Sequence, residues 1–189
     1  MAGLADLPDL CARLSAALTA AGVPHAVSGA LALGAHGYVR ATRDIDILVL
    51  VPSIRLPEVF ETVRGFGFRG EDRDLILALR ERAVAELTAG PASVEILVPV
   101  LPYHREVLAR ARPVEVAGVP VPFVTAEDLV VLKMLWLRDK DRADVRGLLA
   151  AGRATLDRAW IRGKLAALLP AGAGVVETFD RLATEADPV

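Results

Sequence analysis

The sequence predicts an α+β (mixed α/β) protein, with a mixed β-sheet flanked by helices and a C-terminal helical segment. Three observations predict this class. Short strand-like apolar runs alternate with helix-period segments through the first two-thirds of the chain. Gly- and Pro-containing turns separate these runs, and helical spacing dominates the last third. We expect a core over residues 1–124 and a helical segment over residues 125–189 packed on that core.

The first half of the chain alternates helices with strands. Apolar residues at helical spacing begin at Leu7 and run to Leu18, and Gly22 is a stop signal. The elements predicted next, in chain order, are a strand at Pro24–Val27, a short helix at Ala30–Gly37, a strand at Thr42–Val51, and helices at Leu56–Val63 and Asp72–Arg82. The strand at Thr42–Val51 has the strongest pattern.

Two hairpins are predicted in the middle of the chain. The first joins Val84–Leu87 to Val94–Val98 through a Gly-Pro turn, and a helix follows at Tyr103–Arg110. The second joins Val114–Val116 to Val119–Phe123. The prolines of that last strand predict that it lies at an edge of the sheet.

The last third is predicted to be helical. Thr125–Asp128 resembles a capping box, with Asp in place of the usual Glu or Gln. The helices predicted behind it are Ala126–Leu137, Asp141–Ala151 and Leu156–Leu169, followed by a loosened stretch at Ala171–Gly174 and a short amphipathic segment.

Composition excludes several classes of protein. The 189 residues are 53% hydrophobic and 24% charged, which is typical of one globular domain. No apolar run reaches the roughly 18 residues needed to span a bilayer, and the N-terminus lacks the basic region of a signal peptide. A single cysteine, Cys11, excludes an internal disulfide and a zinc site made of thiolates, and its place in the first helix predicts buried packing. We expect a cytoplasmic protein with no membrane partner.

Charge is unevenly distributed along the chain. The net charge is −2, so the whole protein is not a polycation shaped for nucleic acid. Between Lys133 and Lys164, however, nine Lys and Arg residues stand against four Asp residues. This surplus is typical of a solvated helical surface, and it also permits a docking face for a polyanionic acceptor.

Two carboxylates at the start of the strongest strand carry the chemistry. Side chains alternate between the faces of a strand, so Asp44 and Asp46 are expected on one face and Ile45 and Ile47 on the other. The same alternation places Arg40 and Thr42 in phase with the two acids. Neighbouring carboxylates repel unless a cation lies between them. Because Mg²⁺ prefers a few carboxylates together with phosphate oxygens, the pattern predicts a metal site.

A Gly-rich pair, a short helix and then R-x-T-x-D-x-D at a strand start resembles the polymerase-β-like nucleotidyltransferase superfamily. The resemblance is to its small prokaryotic members, among them the AbiEii-type toxin nucleotidyltransferases. It implies a nucleotidyltransferase fold and an enzyme that uses NTP with Mg²⁺ or Mn²⁺. It further implies metal ligation by Asp44 and Asp46, and nucleotide binding by the residues Ser28, Gly29, Arg40 and Thr42. This chain departs from the pattern at Ser28 and Gly29, either by a change in the order of the pair or by the loss of its first glycine.

A third carboxylate is implied by the same resemblance. Glu95 is a lone acid that opens the apolar run Val94–Val98, where the superfamily more often has Asp. The resemblance implies that Glu95 helps to hold the metal and acts as the base on the incoming hydroxyl. A strand-edge glutamate in water is the alternative.

Lys133 and Asp141 are the remaining candidate nucleotide-binding residues. Lys133 is the only charge between Asp128 and Arg138, in a helix that is apolar nearly all round and is therefore predicted to be buried. The resemblance implies that Lys133 reaches the nucleotide phosphates, whereas the alternative is a lysine whose head group extends to solvent. Asp141 matches an R-x-x-D-x-x-D segment of the superfamily, and it is also suited to cap a helix.

The predicted reaction is in-line attack of an acceptor hydroxyl on the α-phosphate of the NTP, with release of pyrophosphate. Two classes of acceptor remain open: tRNA or another RNA, with a toxin-like role and an antitoxin partner, or an aminoglycoside or lincosamide hydroxyl. The non-catalytic alternative is a degenerate member that binds nucleotide or a partner protein.

Overall fold

The computed structural model describes residues 7–170 and 174–187, so all but the last residue of the loosened stretch predicted at Ala171–Gly174 lies outside the described residues. The described chain forms two compact units. The first comprises the residues up to Leu31 together with Ala41–Val124, and the second comprises Ala32–Arg40 and the residues from Thr125 onward. The helix that connects them, α2 (Gly29–Ala35), crosses the boundary between the units.

The first unit contains a six-stranded mixed sheet, which confirms the predicted fold class. Its strands are β1 (His25–Val27), β2 (Asp44–Val49), β3 (Val84–Ala89), β4 (Ala92–Leu97), β5 (Arg112–Val116) and β6 (Val119–Phe123), arranged in the order β3-β4-β2-β1-β6-β5. β2 is parallel to β4 and antiparallel to β1, while β1 and β6 are parallel. The two outer pairs, β3–β4 and β5–β6, are antiparallel hairpins.

Helices bury the apolar residues of the sheet. α1 (Leu7–Ala20) packs on β1, β5, β6 and α3 (Leu56–Arg64), whereas α4 (Asp72–Arg82) packs on β3. α5 (Pro102–Arg110) follows β4. Fully buried residues flank the acids of β2, β3 and β4 along the chain; they are Ile45, Ile47, Ala85, Leu87, Val94 and Ile96. Cys11 is also buried, as predicted, and burial raises the pKa of its thiol to about 12.

The sequence-based prediction that the proline-containing strand is an edge strand is wrong. β6 lies between β5 and β1, and β5 is the edge. The β5–β6 turn is the two-residue pair Ala117–Gly118, both with positive φ. In such a hairpin the amides of Val119, Val121 and Phe123 face β5. The nitrogen atoms of the two prolines therefore face β1, and they have no hydrogen to donate to it. This explains why β1 and β6 pair in register only at Val27 and Phe123.

Four helices make up most of the described part of the second unit. They are α6 (Ala126–Trp136), α7 (Asp139–Ala151), α8 (Arg158–Leu168) and α9 (Val175–Glu185). α6 contacts each of the other three, which accounts for its apolar sequence. Thr125 caps α6 by accepting a hydrogen bond from the Asp128 amide at 3.2 Å, as the capping-box pattern predicts. No helix within the described ranges is long and apolar enough to cross a membrane.

A buried polar pair joins α1 to β1 and gives a first testable prediction. The Nδ1 of His25 lies 2.8 Å from the Val23 carbonyl oxygen, so Nδ1 carries the proton and Nε2 accepts from the Ser15 hydroxyl at 2.8 Å. Ser15→Ala leaves Nε2 buried without its donor, and we expect a loss of about 1–3 kcal/mol in the free energy of unfolding. Urea denaturation measures this change in the free energy of unfolding. The exposed Ser53→Ala is the control, and equal midpoints for the two variants would contradict the assignment.

Candidate active site

The acidic residues of β2 and β4 form a row across one face of the sheet. In the parallel pairing of these strands, Asp46 lies opposite Glu95 and Asp44 lies opposite Ser93. β3 lies on the other side of β4 from β2, and its Glu86 extends the row because it lies opposite Glu95. We call Asp44, Asp46, Glu95 and Glu86 the acidic row. It follows directly from strand alternation, since Ile45 and Ile47 face the opposite way and are fully buried.

Hydrogen bonds fix three members of the acidic row. The Ser93 hydroxyl donates to Oδ1 of Asp44 at 3.0 Å. Asp46 and Glu95 share a side-chain hydrogen bond, which requires a proton between the two carboxyl groups. Without this proton, both carboxylates would be negatively charged and would repel each other.

The pKa of Glu95 is raised to about 7. Partial burial is the largest cause, followed by the charge of Asp46, its hydrogen bond, and the charges of Asp44 and Glu86. Every neighbour that raises this pKa is therefore an acid. A carboxyl that titrates near neutral pH is suited to accept a proton from a substrate hydroxyl.

Ser28 and Gly29 lie beside Asp46, in the first unit. The Ser28 amide donates to the Asp46 carbonyl at 2.8 Å. Gly29 has φ +58°, and a Cβ at this position would overlap the Asp46 carboxylate. Only glycine therefore allows the backbone to approach this acid so closely.

Gly29→Ala is expected to disturb the acidic row. Two effects combine, because the alanine adopts a left-handed conformation and its Cβ displaces the Asp46 carboxylate. We expect a cost of about 1 kcal/mol from the conformation alone, with a further cost from the overlap. The matched control is Gly22→Ala, where φ is +64° and no atom lies within 4 Å of the added Cβ. Thermal unfolding of both variants should rank Gly29→Ala as the less stable, and equal stability would contradict the close approach.

The strand begins later than predicted. β2 starts at Asp44, so Arg40 and Thr42 lie outside it and do not continue its alternation. The hydroxyl of Thr42 accepts from the Asp44 amide at 3.1 Å and thereby shapes the entry to the strand. Arg40 belongs to the second unit, where its Nε donates to Oδ1 of Asp144 at 2.9 Å.

Lys133 is buried in the second unit and bound by carboxylates. Its side chain is 10% exposed, and its Nζ lies 2.6 Å from Asp144 and 3.5 Å from Asp141. The head group therefore does not extend to solvent. Asp144 accepts from both Lys133 and Arg40, which makes it the centre of a buried ion-pair network.

Asp141 lies in the same network but does not occupy the N-cap position of α7. α7 begins at Asp139, so Asp141 occupies the third helical position and accepts from the Arg138 amide at 3.2 Å. The Arg138 guanidinium also donates to it at 2.6 Å. The pKa of Asp141 is lowered: burial, the largest influence, raises it, and the bonds and charges of Arg138 and Lys133 together outweigh burial.

The donor set of the acidic row fits a hard divalent cation. Its atoms are carboxylate oxygens, which Mg²⁺ prefers over nitrogen or sulfur ligands. Within residues 7–170 and 174–187, no three or more Asp, Glu, His or Cys side chains are already gathered around one ion position. A Mg²⁺ site does not require this, because one or two carboxylates with substrate phosphates complete it.

Solved structures show which fold this arrangement belongs to. ANT(2'')-Ia in complex with adenylyl-2''-tobramycin aligns with 96% of this chain and 99% of its own, at 16% identity and a TM-score of 0.54. A nucleotidyltransferase-like protein from Paracoccidioides brasiliensis aligns with 91% of this chain and 92% of its own, at 16% identity and a TM-score of 0.53. This protein has the nucleotidyltransferase fold.

A third structure with the nucleotidyltransferase fold is a candidate nucleotidyltransferase of Thermotoga maritima. It aligns with 75% of this chain and 91% of its own, at 18% identity and a TM-score of 0.50. No protein-family model matches the sequence, and no curated protein matches it significantly. At these identities the likeness establishes the fold, and the chemistry depends on the residues of the acidic row.

Sequence reasoning missed Glu86 and Asp144. Glu86 is an exposed acid within a strand whose neighbours in sequence are buried, and the register with β4 is what brings it to Glu95. Asp144 is the second acid of the R-x-x-D-x-x-D segment, and its spacing from Asp141 predicts only that the two share a face of a helix. Its burial and its two basic partners come from the packing of α6 and α7 and from the position of Arg40.

Proposed function

We propose that this protein transfers a nucleoside monophosphate from an NTP to an acceptor hydroxyl, in the presence of Mg²⁺ or Mn²⁺. The carrying observation is the register of the parallel strands β2 and β4, which sets Asp46 beside Glu95 and Asp44 beside Ser93. The nucleotidyltransferase fold supports the proposal, because the R-x-T-x-D-x-D residues that suggested the superfamily lead into β2.

Asp44 and Asp46 are the proposed metal ligands, with Glu95 as the third carboxylate of the site. A divalent cation, when bound, neutralises charge on the phosphates and holds them near the acceptor. Glu95 takes the proton of the acceptor hydroxyl, and the hydroxyl oxygen forms a bond to the α-phosphorus. The bond from that phosphorus to the leaving oxygen breaks, and pyrophosphate carries the negative charge away.

The residues proposed to bind the nucleotide differ in their support. The close approach of Gly29 to Asp46 supports a role for the backbone of Ser28 and Gly29 beside the phosphates. Thr42 is proposed to act by shaping the start of β2. Arg40, Lys133 and Asp141 remain predicted nucleotide-binding residues, each of which already has an ion pair within the second unit.

A small cationic molecule is the acceptor that the charges favour. Glu86 adds an exposed carboxylate to the row, and acids attract an amine-bearing acceptor. The basic surplus predicted as a possible polyanion surface is partly neutralised by acids at the C-terminal end, since Arg146, Arg158 and Arg162 pair with Glu185, Asp187 and Asp180. The structural likeness to ANT(2'')-Ia bound to adenylyl-2''-tobramycin supports an aminoglycoside-type acceptor.

RNA is the second candidate acceptor, with the toxin-like role and antitoxin partner that the AbiEii resemblance implies. One observation favours it. Trp136 is 64% exposed at the end of α6, close in sequence to the exposed Lys140. An exposed aromatic ring is suited to stack a base, and an exposed lysine is suited to bind a phosphate.

Transfer of α-³²P-labelled nucleotide tests the function and separates the acceptors. We would incubate each NTP and Mg²⁺ with tobramycin or with total tRNA, using the wild type, Asp44→Asn/Asp46→Asn and the exposed control Glu81→Gln. Label on either acceptor from the wild type and the control alone supports the proposal and identifies the class. Nucleotide binding with no transfer to any acceptor would instead indicate a catalytically inactive nucleotide-binding protein.

A further inference from the structure

A cavity of about 440 Å³ lies in the first unit, at the carboxyl ends of β2 and β4. Asp46 and Leu50 are four residues apart, which is about 13 Å along an extended strand, so the cavity is distinct from the acidic row. Its volume is within the range of roughly 300–1,000 Å³ found for small-molecule sites. Its lining residues are Leu50, Val51, Ser53, Ile54, Leu56 and Ile76, with Leu79, Arg80, Val98, Pro99 and Arg105.

The chain path creates this cavity. β2 and β4 are parallel neighbours, and the segments that follow them lead to different helices. Residues 50–56 enter α3 through a 3₁₀ turn at Ser53–Arg55, while residues 98–102 enter α5. Pro52 and Pro99 help to end the pairing of the two strands. The diverging segments leave a space that one face of α4 lines with Ile76, Leu79 and Arg80.

The charge of the cavity is positive. Among the described residues that line it, Arg80 and Arg105 are the only charged ones, although the chain as a whole has a net charge of −2. Within the described parts of the chain, neither guanidinium has a hydrogen bond or an ion pair. Nearby arginines differ, since Arg55 and Arg64 pair with Glu58 and Asp72. The two cavity arginines are therefore available to an anion.

The remaining wall is apolar and partly open to water. Leu56 and Leu79 form its buried part, with 6% and 7% exposure. Ile54 lines the cavity and is 84% exposed, and Val100 and Leu101, which follow Pro99, are 57% and 43% exposed. Large aliphatic side chains exposed beside a concave surface are typical of a binding site.

We propose that this cavity binds an amphiphilic organic anion. Arg80 and Arg105 bind its carboxylate or phosphate head group, with the Ser53 hydroxyl as a further donor. Its apolar body lies against Ile54, Leu56 and the other aliphatic lining residues. This site is separate from the proposed transfer reaction and does not depend on it.

Isothermal titration calorimetry with four probes tests the proposal. The probes are decanoate, decyl phosphate, decanol and inorganic phosphate, with the two amphiphilic anions below their micellar concentrations and decanol below its solubility limit. We expect decanoate or decyl phosphate to bind at least tenfold more tightly than decanol and than inorganic phosphate, because both parts of the ligand contribute. The stronger of the two anions identifies the head group. Equal binding of decanol, equal binding of inorganic phosphate, or no binding would each overturn the proposal.

Variants and methyl NMR spectra locate the bound probe. Arg80→Gln and Arg105→Gln should each weaken binding about fivefold, and Ile54→Glu should abolish it by placing a like charge at the exposed entrance. Arg73→Gln is the matched control, because Arg73 is an exposed residue of α4 that does not line the cavity. The Ile54 and Ile76 methyl signals should shift while that of Ile161 in the second unit stays fixed. Unchanged affinity in both arginine variants would contradict the site.

Discussion

Asp46→Asn is expected to abolish nucleotide transfer and to make the folded protein more stable at pH 8. Transfer should fall by a factor of about 1,000 or more, because the amide is a weak ligand for a hard cation. Stability should rise because Asp46 is, after burial, the main cause of the raised pKa of Glu95. The asparagine amide instead donates a hydrogen bond to ionised Glu95. A variant that loses transfer because it unfolds would be less stable, so the gain in stability excludes unfolding as the cause of the lost activity.

The pH dependence gives the sign of the stability change. The pKa of Glu95 is about 7 in the folded protein, whereas the ordinary value of 4.5 applies in the unfolded chain. The folded state therefore favours the neutral carboxyl, and stability is lost as pH rises from 4.5 through 7. Allowing for partial solvent exposure, we expect Asp46→Asn to recover about 1 kcal/mol at pH 8 and almost none at pH 4. Urea denaturation at both pH values, with Glu81→Gln as control, measures this difference. Equal effects at pH 4 and pH 8 would contradict the coupling.

Asp144→Ala is expected to destabilise the second unit strongly. Asp144 is 2% exposed and accepts from Lys133 at 2.6 Å and from Arg40 at 2.9 Å. Its removal leaves the buried Lys133 ammonium with Asp141 at 3.5 Å as its remaining carboxylate neighbour in this network. Breaking a buried ion pair from one side costs about 3–5 kcal/mol, which exceeds the value of the pair itself.

The control for this prediction is a surface ion pair of the same unit. Glu185 pairs with Arg146, and the two side chains are 42% and 51% exposed. Glu185→Ala should cost less than about 1 kcal/mol. A double variant, Lys133→Met with Asp144→Leu, should regain much of the loss, because it removes both charges of the buried Lys133–Asp144 pair. Equal unfolding midpoints for Asp144→Ala and Glu185→Ala would show that the network does not stabilise the fold.

Local patterns predicted most of the secondary structure. The apolar spacing of α1 and of α6, the Gly-Pro turn of the first hairpin and the Thr125 cap all depend on neighbours in sequence. The burial of Ile45 and Ile47 opposite the two aspartates also follows from strand alternation alone. Such features need no knowledge of which strands pair.

Long-range pairing explains what the sequence did not predict. The interior position of β6 depends on β1 lying next to it, and its prolines are tolerated because that pairing is short. Glu86 joins the acidic row only through the β3–β4 register. The pairing of the basic segment with Asp180, Glu185 and Asp187 likewise depends on how α9 packs. The sequence motif was therefore enough to predict Asp44 and Asp46, whereas the charged residues around them could be identified only from the fold.

Binding of Mn²⁺ in the presence of a non-hydrolysable ATP analogue tests the central claim most directly, namely that the acidic row holds a divalent cation together with a nucleotide. Electron paramagnetic resonance follows the free ion during titration of the wild type, Asp46→Asn and Glu81→Gln. We predict that the analogue tightens Mn²⁺ binding to the wild type and to Glu81→Gln, and that Asp46→Asn binds at least tenfold more weakly. Equal Mn²⁺ affinity in all three proteins, with or without the analogue, would contradict the assignment of the acidic row as the active site.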